Sequence, residues 1–361
     1  MTTQLFNPTQ FNHAKAEAFA GRMLDIISSS AIDLMVSIGH RTELFDTMAE
    51  LPPSTSQQIA NAAGLNERYV REWLNAMVTG RIVEYDPIAK TYVLPTEHAA
   101  FLTRAAEPNN LALIAQFPPM LATVEDQVIN CFYQGGGVPY SAFKRFHTVM
   151  AEVTNQGTVA PLIDEVLPLI SGLGEALQQG IDVLDLGCGS GKVLNVLAAA
   201  FPNSRFTGYD FSGETIATAN AEAQRHKLSN IEFRVRDAAT IEECDRYDLI
   251  TTFDAIHDQA KPDQVLHNIY RALRADGIYL MQEIRGATNV EDNLDNPLAP
   301  YFYTVSCMHC MTVSLAYGGM GLGAMWGQET ALRMLAEAGF KQVEIKRLPQ
   351  DIVNDYYIIH K

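Results

Sequence analysis

The sequence predicts an α/β protein in which a parallel sheet, covered by helices on both faces, follows a mainly helical N-terminal domain. Three observations predict it. Val183-Leu184-Asp185-Leu186-Gly187-Cys188-Gly189-Ser190-Gly191 is an apolar run with an acid near its end, followed by three glycines in five residues. That is a buried strand passing through a tight turn into a helix. From Gly180 onward, short apolar runs alternate with helical stretches, which implies a parallel sheet wrapped on both sides. Before Gly180 the apolar spacing is almost wholly helical.

Composition narrows the class. The 361 residues are 47% apolar and 19% charged, as expected of a globular chain of two or three domains. The segments read as 1–103, a connector 104–179, and 180–361. A formal charge of −16 argues against a nucleic-acid partner, because the basic residues form no cluster. Met1 to Asn12 lacks the pattern of a leader, and no apolar segment approaches the length of a membrane span, so the expectation is a cytoplasmic protein off the membrane. Five cysteines make no disulfide framework. Cys307-Met308-His309-Cys310 is the one suggestive spacing; with Cys131, Cys188 and Cys244 scattered, no metal site is expected and buried thiols are the plainer reading.

The N-terminal elements follow in order. From His13 to Gly39, the positions Phe19, Met23, Ile26, Ile27, Leu34 and Ile38 recur at helical spacing, giving a long helix whose wide apolar surface must be covered. Leu44 to Leu51 is a shorter helix stopped by Pro52-Pro53. Ser54 to Gly64 is a capped helix, and Asn66 caps a second that runs to Val78. Two short strands, 80–87 and 90–94, complete a winged helix-turn-helix. Such a domain could read DNA, but its second helix sets Glu67 and Glu72 against Arg68 and Arg71, a balance that does not favour phosphate.

In the connector, Gly135-Gly136-Gly137 makes a flexible turn before a helix from Ser141 to Val153. Phe143, Phe146, His147 and Met150 share one face of that helix by three-and-four spacing. They are candidate walls for a flat substrate, with an ordinary core stripe as the competing reading.

In the α/β part, strands are expected at 181–186, 205–210, 231–236, 247–253 and 278–284, with helices at 191–201, 213–226 and 262–274. Ligands in such sheets bind beyond the strands' carboxyl ends. Asp185, Asp210, Asp237 and Asp254 all lie there. A phosphate loop is excluded because Leu186 and Val193 stand where glycine and a hydroxyl residue are required. A dinucleotide fingerprint fits Gly187 and Gly189 but meets Lys192 at its third glycine, leaving a nicotinamide site as a weaker reading.

On the motif Asp185 to Gly191, with Asp210, Phe233-Arg234-Val235-Arg236-Asp237-Ala238 and Tyr247 to Asp254, the chain resembles the class I S-adenosylmethionine-dependent methyltransferases. The resemblance implies a Rossmann-like seven-stranded sheet. It implies S-adenosyl-L-methionine as cofactor, with the turn of Gly187, Gly189 and Gly191 against its methionine part and Asp210, followed by Phe211, on the ribose. Asp237 and Ala238 would meet the adenine, and Phe253 and Asp254 would lie beside the cofactor. With the winged domain included, the chain is similar to the plant-type small-molecule O-methyltransferases and to bacterial winged-helix methyltransferases, which implies a homodimer.

His257-Asp258 follows the fourth strand, where an acceptor would meet the transferred methyl. Histidine titrates near neutrality and can take a hydroxyl proton. The resemblance makes His257 the general base; Asp258 is an orienter or only the start of a helix. Gln259 stands where that family commonly has tryptophan, and no partner acid for the histidine is identifiable further on. Residues 285–327 form a long insertion at the ligand end, read as a lid containing a helix from Tyr301 to Tyr317. His309, Cys310 and Trp326 are its candidate substrate contacts. The function expected is methyl transfer to a small molecule; the alternative is a non-enzymatic, cofactor-sensing winged-helix regulator.

Overall fold

The computed structural model describes residues 11–106 and 108–361. Residues 1–10, on which most of the leader reading falls, lie outside the described ones. The chain divides into two compact units that meet in sequence at Pro119 and Met120.

The first unit begins with α1, His13–Arg41, capped by the Asn12 side chain accepting from the Lys15 amide. Its described face is mostly exposed, including Phe19, Leu24 and Ile27. By length and composition α1 is long and apolar enough to cross a membrane. Length and composition alone do not make a membrane span, so the expectation of a chain off the membrane stands uncontradicted. α2 (Leu44–Glu50), α3 (Ser56–Ala63) and α4 (Glu67–Thr79) follow. Thr55 and Gln58 close a reciprocal cap on α3, and Asn66 caps α4 as its position predicts. The wing is β1 (Glu84–Asp86) paired antiparallel with β2 (Thr91–Val93). Phe45, Ile59, Trp73, Leu74 and Met77 form the core beneath it. Trp73 donates its indole N–H to the Met35 carbonyl of α1 at 2.8 Å.

The second unit holds a seven-stranded sheet in the order β5-β4-β3-β6-β7-β9-β8. The strands are β3 (Asp182–Leu186), β4 (Arg205–Asp210), β5 (Ile231–Val235), β6 (Tyr247–Phe253), β7 (Leu273–Ile284), β8 (Gln342–Lys346) and β9 (Asn354–His360). The first five pair in parallel, and β9 joins β7 and β8 antiparallel. Strand order reverses between β3 and β6, so β3 ends at the switch point, where two neighbouring crossovers leave a crevice. Helices Lys192–Ala200 and Gly213–Arg225 cover one face, and Pro262–Ala272 and Gly327–Ala338 cover the other.

Two helices differ from expectation. The one expected from Ser141 begins only at Phe146, because a 3₁₀ turn at Tyr140–Ala142 leaves Phe143 at φ −92°, ψ 74°. The one expected from Tyr301 to Tyr317 is three pieces, Ala299–Val305, a π-turn at Ser306–Cys310, and Met311–Ala316. The glycine turn ahead of Tyr140 is pinned as well. A Cβ on Gly137 would lie 1.9 Å from the Thr312 carbonyl oxygen, and the Val138 amide donates to Thr312 Oγ1 at 2.9 Å. Glycine there serves close approach.

Candidate active site

The glycine turn after β3 is built by three residues at positive φ that do different things. Gly187 has φ 73°, and a Cβ there would meet the Ala255 methyl at 2.8 Å. Gly191 has φ 70°, and a Cβ there would strike the Phe233 ring at 2.5 Å, so it seats the helix against β5. Gly189 faces open space, and its amide donates to Asp210 Oδ2 at 3.0 Å. Helical N–H groups and the turn therefore surround a cleft into which the main chain projects no side chain at position 189.

That cleft brings together Asp185, Asp210, Phe211, Phe253 and Asp254 with the turn. Its opposite wall is Tyr140, Phe146, His147 and Met150, and Asp258 and Gln259 also face it. Tyr140 stacks on His147 at 5.1 Å and meets Phe211 edge-on at 5.5 Å.

The carboxylates are costly to charge here. Asp185 accepts from Thr251 Oγ1 at 2.7 Å, yet burial pushes its pKa up to about 7. Asp254, at the unusual φ of 50°, is raised to about 7 by burial and then by Glu283. Its Oδ2 accepts from Gln282, while Oδ1 is buried without a hydrogen-bond partner among the described residues. Asp210 is raised by burial despite amide donors from Ser212 and Gly189. Several strained acids around one cleft favour a ligand that brings positive charge and donors.

Asp237 lies outside the cleft's walls. It is exposed, and its carboxylate caps the next turn through the Ala239 amide; Ala238 is buried beside it in the core. Trp326 too is packed into the core of the sheet's second face. Phe143 is buried 4.7 Å from His309, and Phe146 stacks flat on His309 at 3.7 Å. Burial lowers the His309 pKa to about 4, so that ring is neutral.

His257 is buried behind Asp258. Its partner acid, which sequence reasoning missed, is Glu283 near the end of β7. Glu283 Oε2 sits 2.5 Å from His257 Nδ1, and Oε1 accepts from the Ile256 amide at 3.0 Å. Burial alone would depress the histidine's pKa, but Glu283 and then Asp258 hold it well above the ordinary value. On the other ring edge, Nε2 lies 3.3 Å from Asp258 Oδ1. The Cys310 thiol, raised to about 12 by burial, adjoins both residues. Tyr140 was also missed, since it lies in the turn ahead of the helix rather than on the helical face that the spacing picks out. Glu283 left a clearer signal: Gln282-Glu283 are polar residues directly after the apolar run Ile278-Tyr279-Leu280-Met281 of a central strand.

Two family models match the chain: a Rv2258c-like winged HTH domain over residues 30–104 and a methyltransferase domain over 177–354. The arsenite methyltransferase of Aquipseudomonas alcaligenes is 32% identical over 150 residues, which are 37% of this chain and 43% of that protein. The chain thus spans less than half the length of the curated relatives it first matches. Among solved structures, human N-acetylserotonin methyltransferase, in complex with S-adenosylmethionine, aligns with a TM-score of 0.68 and 16% identity over 98% of this chain and 99% of that one. The mitomycin 7-O-methyltransferase MmcR aligns with a TM-score of 0.67 and 16% identity over 97% and 100%. At such identities the likeness is one of fold. Sheet order, switch-point turn and the two matched models lead to one assignment: the chain belongs to the class I S-adenosylmethionine-dependent methyltransferases, with an N-terminal winged-helix domain.

Proposed function

We propose that this chain transfers the methyl group of S-adenosylmethionine to a small-molecule acceptor, a hydroxyl of an aromatic or related metabolite, with His257 as general base. The observation that carries the reading is the group of carboxylates Asp185, Asp210 and Asp254 around the open face of Gly189 at the switch point. The residues fit the cofactor: its ammonium and sulfonium offset the acids, its ribose hydroxyls suit Asp210, and an amino or hydroxyl donor suits the orphaned Asp254 oxygen. When bound, the cofactor supplies an electrophilic methyl on a positively charged sulfur.

The chain's own residues do the rest. Tyr140, Phe146 and His147 form an aromatic wall, with Tyr140 stacked on His147 and Phe146 edge-on to both, that orients a flat acceptor and excludes water. Glu283, fixed by the Ile256 amide, holds the His257 ring and stabilises the imidazolium formed as Nε2 takes the acceptor's proton. Residues of the 285–327 insertion are tied to this edge, since Ser314 Oγ donates to the Gln259 carbonyl at 2.9 Å and the Met320 amide to the Ala260 carbonyl at 3.0 Å. That supports a lid role. The exposed apolar side of α1 supports a homodimer, a second copy being the partner with a matching surface. On α4, Arg68 pairs with Glu72, and Arg71 lies 3.4 Å from Glu67, which weighs against a DNA-reading regulator.

The test is transfer of labelled methyl into a panel of phenols and related hydroxylated compounds by native protein and by His257→Ala. Label in a small molecule supports the reading. Equal rates for both proteins would remove the base and leave the transferase.

A further inference from the structure

Three groups from two segments converge behind the cleft: a ring nitrogen of His257, an oxygen of Asp258, and Cys310 Sγ, all within 4.8 Å of one another. Imidazole, carboxylate and thiol form a donor set for zinc and its neighbours rather than for magnesium or calcium. Spacing agrees with chemistry. Metal–nitrogen and metal–oxygen bonds of about 2.0 Å in a tetrahedron put the two ligand atoms roughly 3.3 Å apart. His257 Nε2 and Asp258 Oδ1 are 3.3 Å apart.

The surroundings match as well. A metal-binding histidine commonly donates its other N–H to a fixed carboxylate. Glu283 occupies that place on Nδ1 and is itself anchored by the Ile256 amide. Two further polar groups are left without satisfaction. Asp258 Oδ1 has no hydrogen-bond partner among the described residues, although Nε2 is near. His309 is fully buried with both ring nitrogens unpartnered, and its Nδ1 lies 4.0 Å from Asp258 Oδ2. Asp258 also lines the cleft, so the cluster borders the space an acceptor would fill.

We propose that His257 Nε2, Asp258 and Cys310 bind one zinc-class divalent cation, and that the bound ion switches methyl transfer off by occupying the nitrogen that accepts the substrate's proton. Binding displaces the proton of the Cys310 thiol and any proton on Nε2 to solvent, with no oxidation or reduction. The binding half stands on the cluster alone; the inhibitory half rests on the methyl-transfer reading.

The test begins with full-length protein freed of metal by a chelator and titrated with Zn²⁺ against a chromophoric competitor. One tight equivalent is expected for native protein. Cys310→Ser should weaken it by more than about tenfold, and Glu283→Gln by about tenfold, with circular dichroism confirming that each variant is folded. Co²⁺ replacing Zn²⁺ should show thiolate-to-metal charge-transfer absorption that Cys310→Ser lacks and Cys307→Ser keeps. Absence of a tight equivalent, or equal binding by native protein and folded Cys310→Ser, overturns the site. If Cys310→Ser does not fold, loss of the cobalt band in Asp258→Asn, or its persistence, decides the same point. Zn²⁺ should abolish methyl transfer and a chelator should restore it; transfer unchanged at one bound equivalent overturns the inhibition. Failure of the metal-free protein to transfer methyl at all would refute the proposed function and leave the binding result intact.

Discussion

Glu283 Oε2 lies 2.5 Å from His257 Nδ1, joining the end of β7 to the loop after β6. The contact orients a buried ring and makes it a stronger base. Removing the carboxylate's charge in Glu283→Gln should therefore lower kcat by about 10²-fold, the lower range of general-base contributions. His257→Ala should cost at least as much, and the double variant little more than His257→Ala alone, because the two act as one unit. Steady-state kinetics of the three variants check this; additive losses would separate the pair.

Asp185 predicts a dependence of stability on pH. Its folded-state pKa is about 7 against 3.8 for a free carboxyl. The folded protein therefore holds a proton that the unfolded chain has lost between those values. Stability falls as pH rises from about 4 to about 7, and the full penalty is present above pH 7, at most about 4 kcal/mol. In the cofactor-free protein, Asp185→Asn should thus raise stability at pH 8 and change it little at pH 4, while weakening cofactor binding. Denaturant unfolding at both pH values, with calorimetry for the cofactor, measures both effects. A variant no more stable than native at pH 8 would sink the argument.

Gly189 and Gly191 look equivalent in sequence and are not equivalent in space. Alanine at 191 would add strain at φ 70° and press on Phe233 and Ala219, so its loss should appear as a lowered Tm. Alanine at 189 shares the backbone strain, at φ 52°, but meets no atom within 4 Å and lines the cleft, so its distinguishing loss should be in cofactor affinity. Thermal unfolding and cofactor titration of the two variants should give opposite orders.

That contrast shows where a sequence is informative. The glycines and the acids of the turn were legible because each sits at the carboxyl end of an apolar run, and parallel strands bring such ends to one edge. Asp237 obeys the same local pattern but turns its carboxylate onto the Ala239 amide, a choice between ligand and cap that spacing does not encode. The His257–Glu283 pair was hidden because it spans 26 residues and depends on β6 and β7 lying side by side. Cys310 reached the same place only through the π-turn at Ser306–Cys310, which a regular helical reading of that segment passes over.

α1 offers the last prediction. It is a 29-residue helix in which Ser37, Gly39 and His40 are the buried residues, while Leu24 is 66% and Phe19 62% exposed. Large apolar side chains in a row on one element form a surface that water penalises, at about 25 cal/mol per Å² left uncovered. A second copy meeting it by twofold symmetry covers the same side chains on both helices at once. Leu24→Glu places two charges in such a seam for every dimer, so the variant should elute as a monomer of about half the native mass in light-scattering chromatography. Its winged-helix core, built around Phe45 and Trp73 rather than Leu24, should still unfold cooperatively. A native protein that is itself monomeric at micromolar concentration would refute the dimer and leave α1 to a membrane surface or another partner, which vesicle flotation of the native chain would then decide.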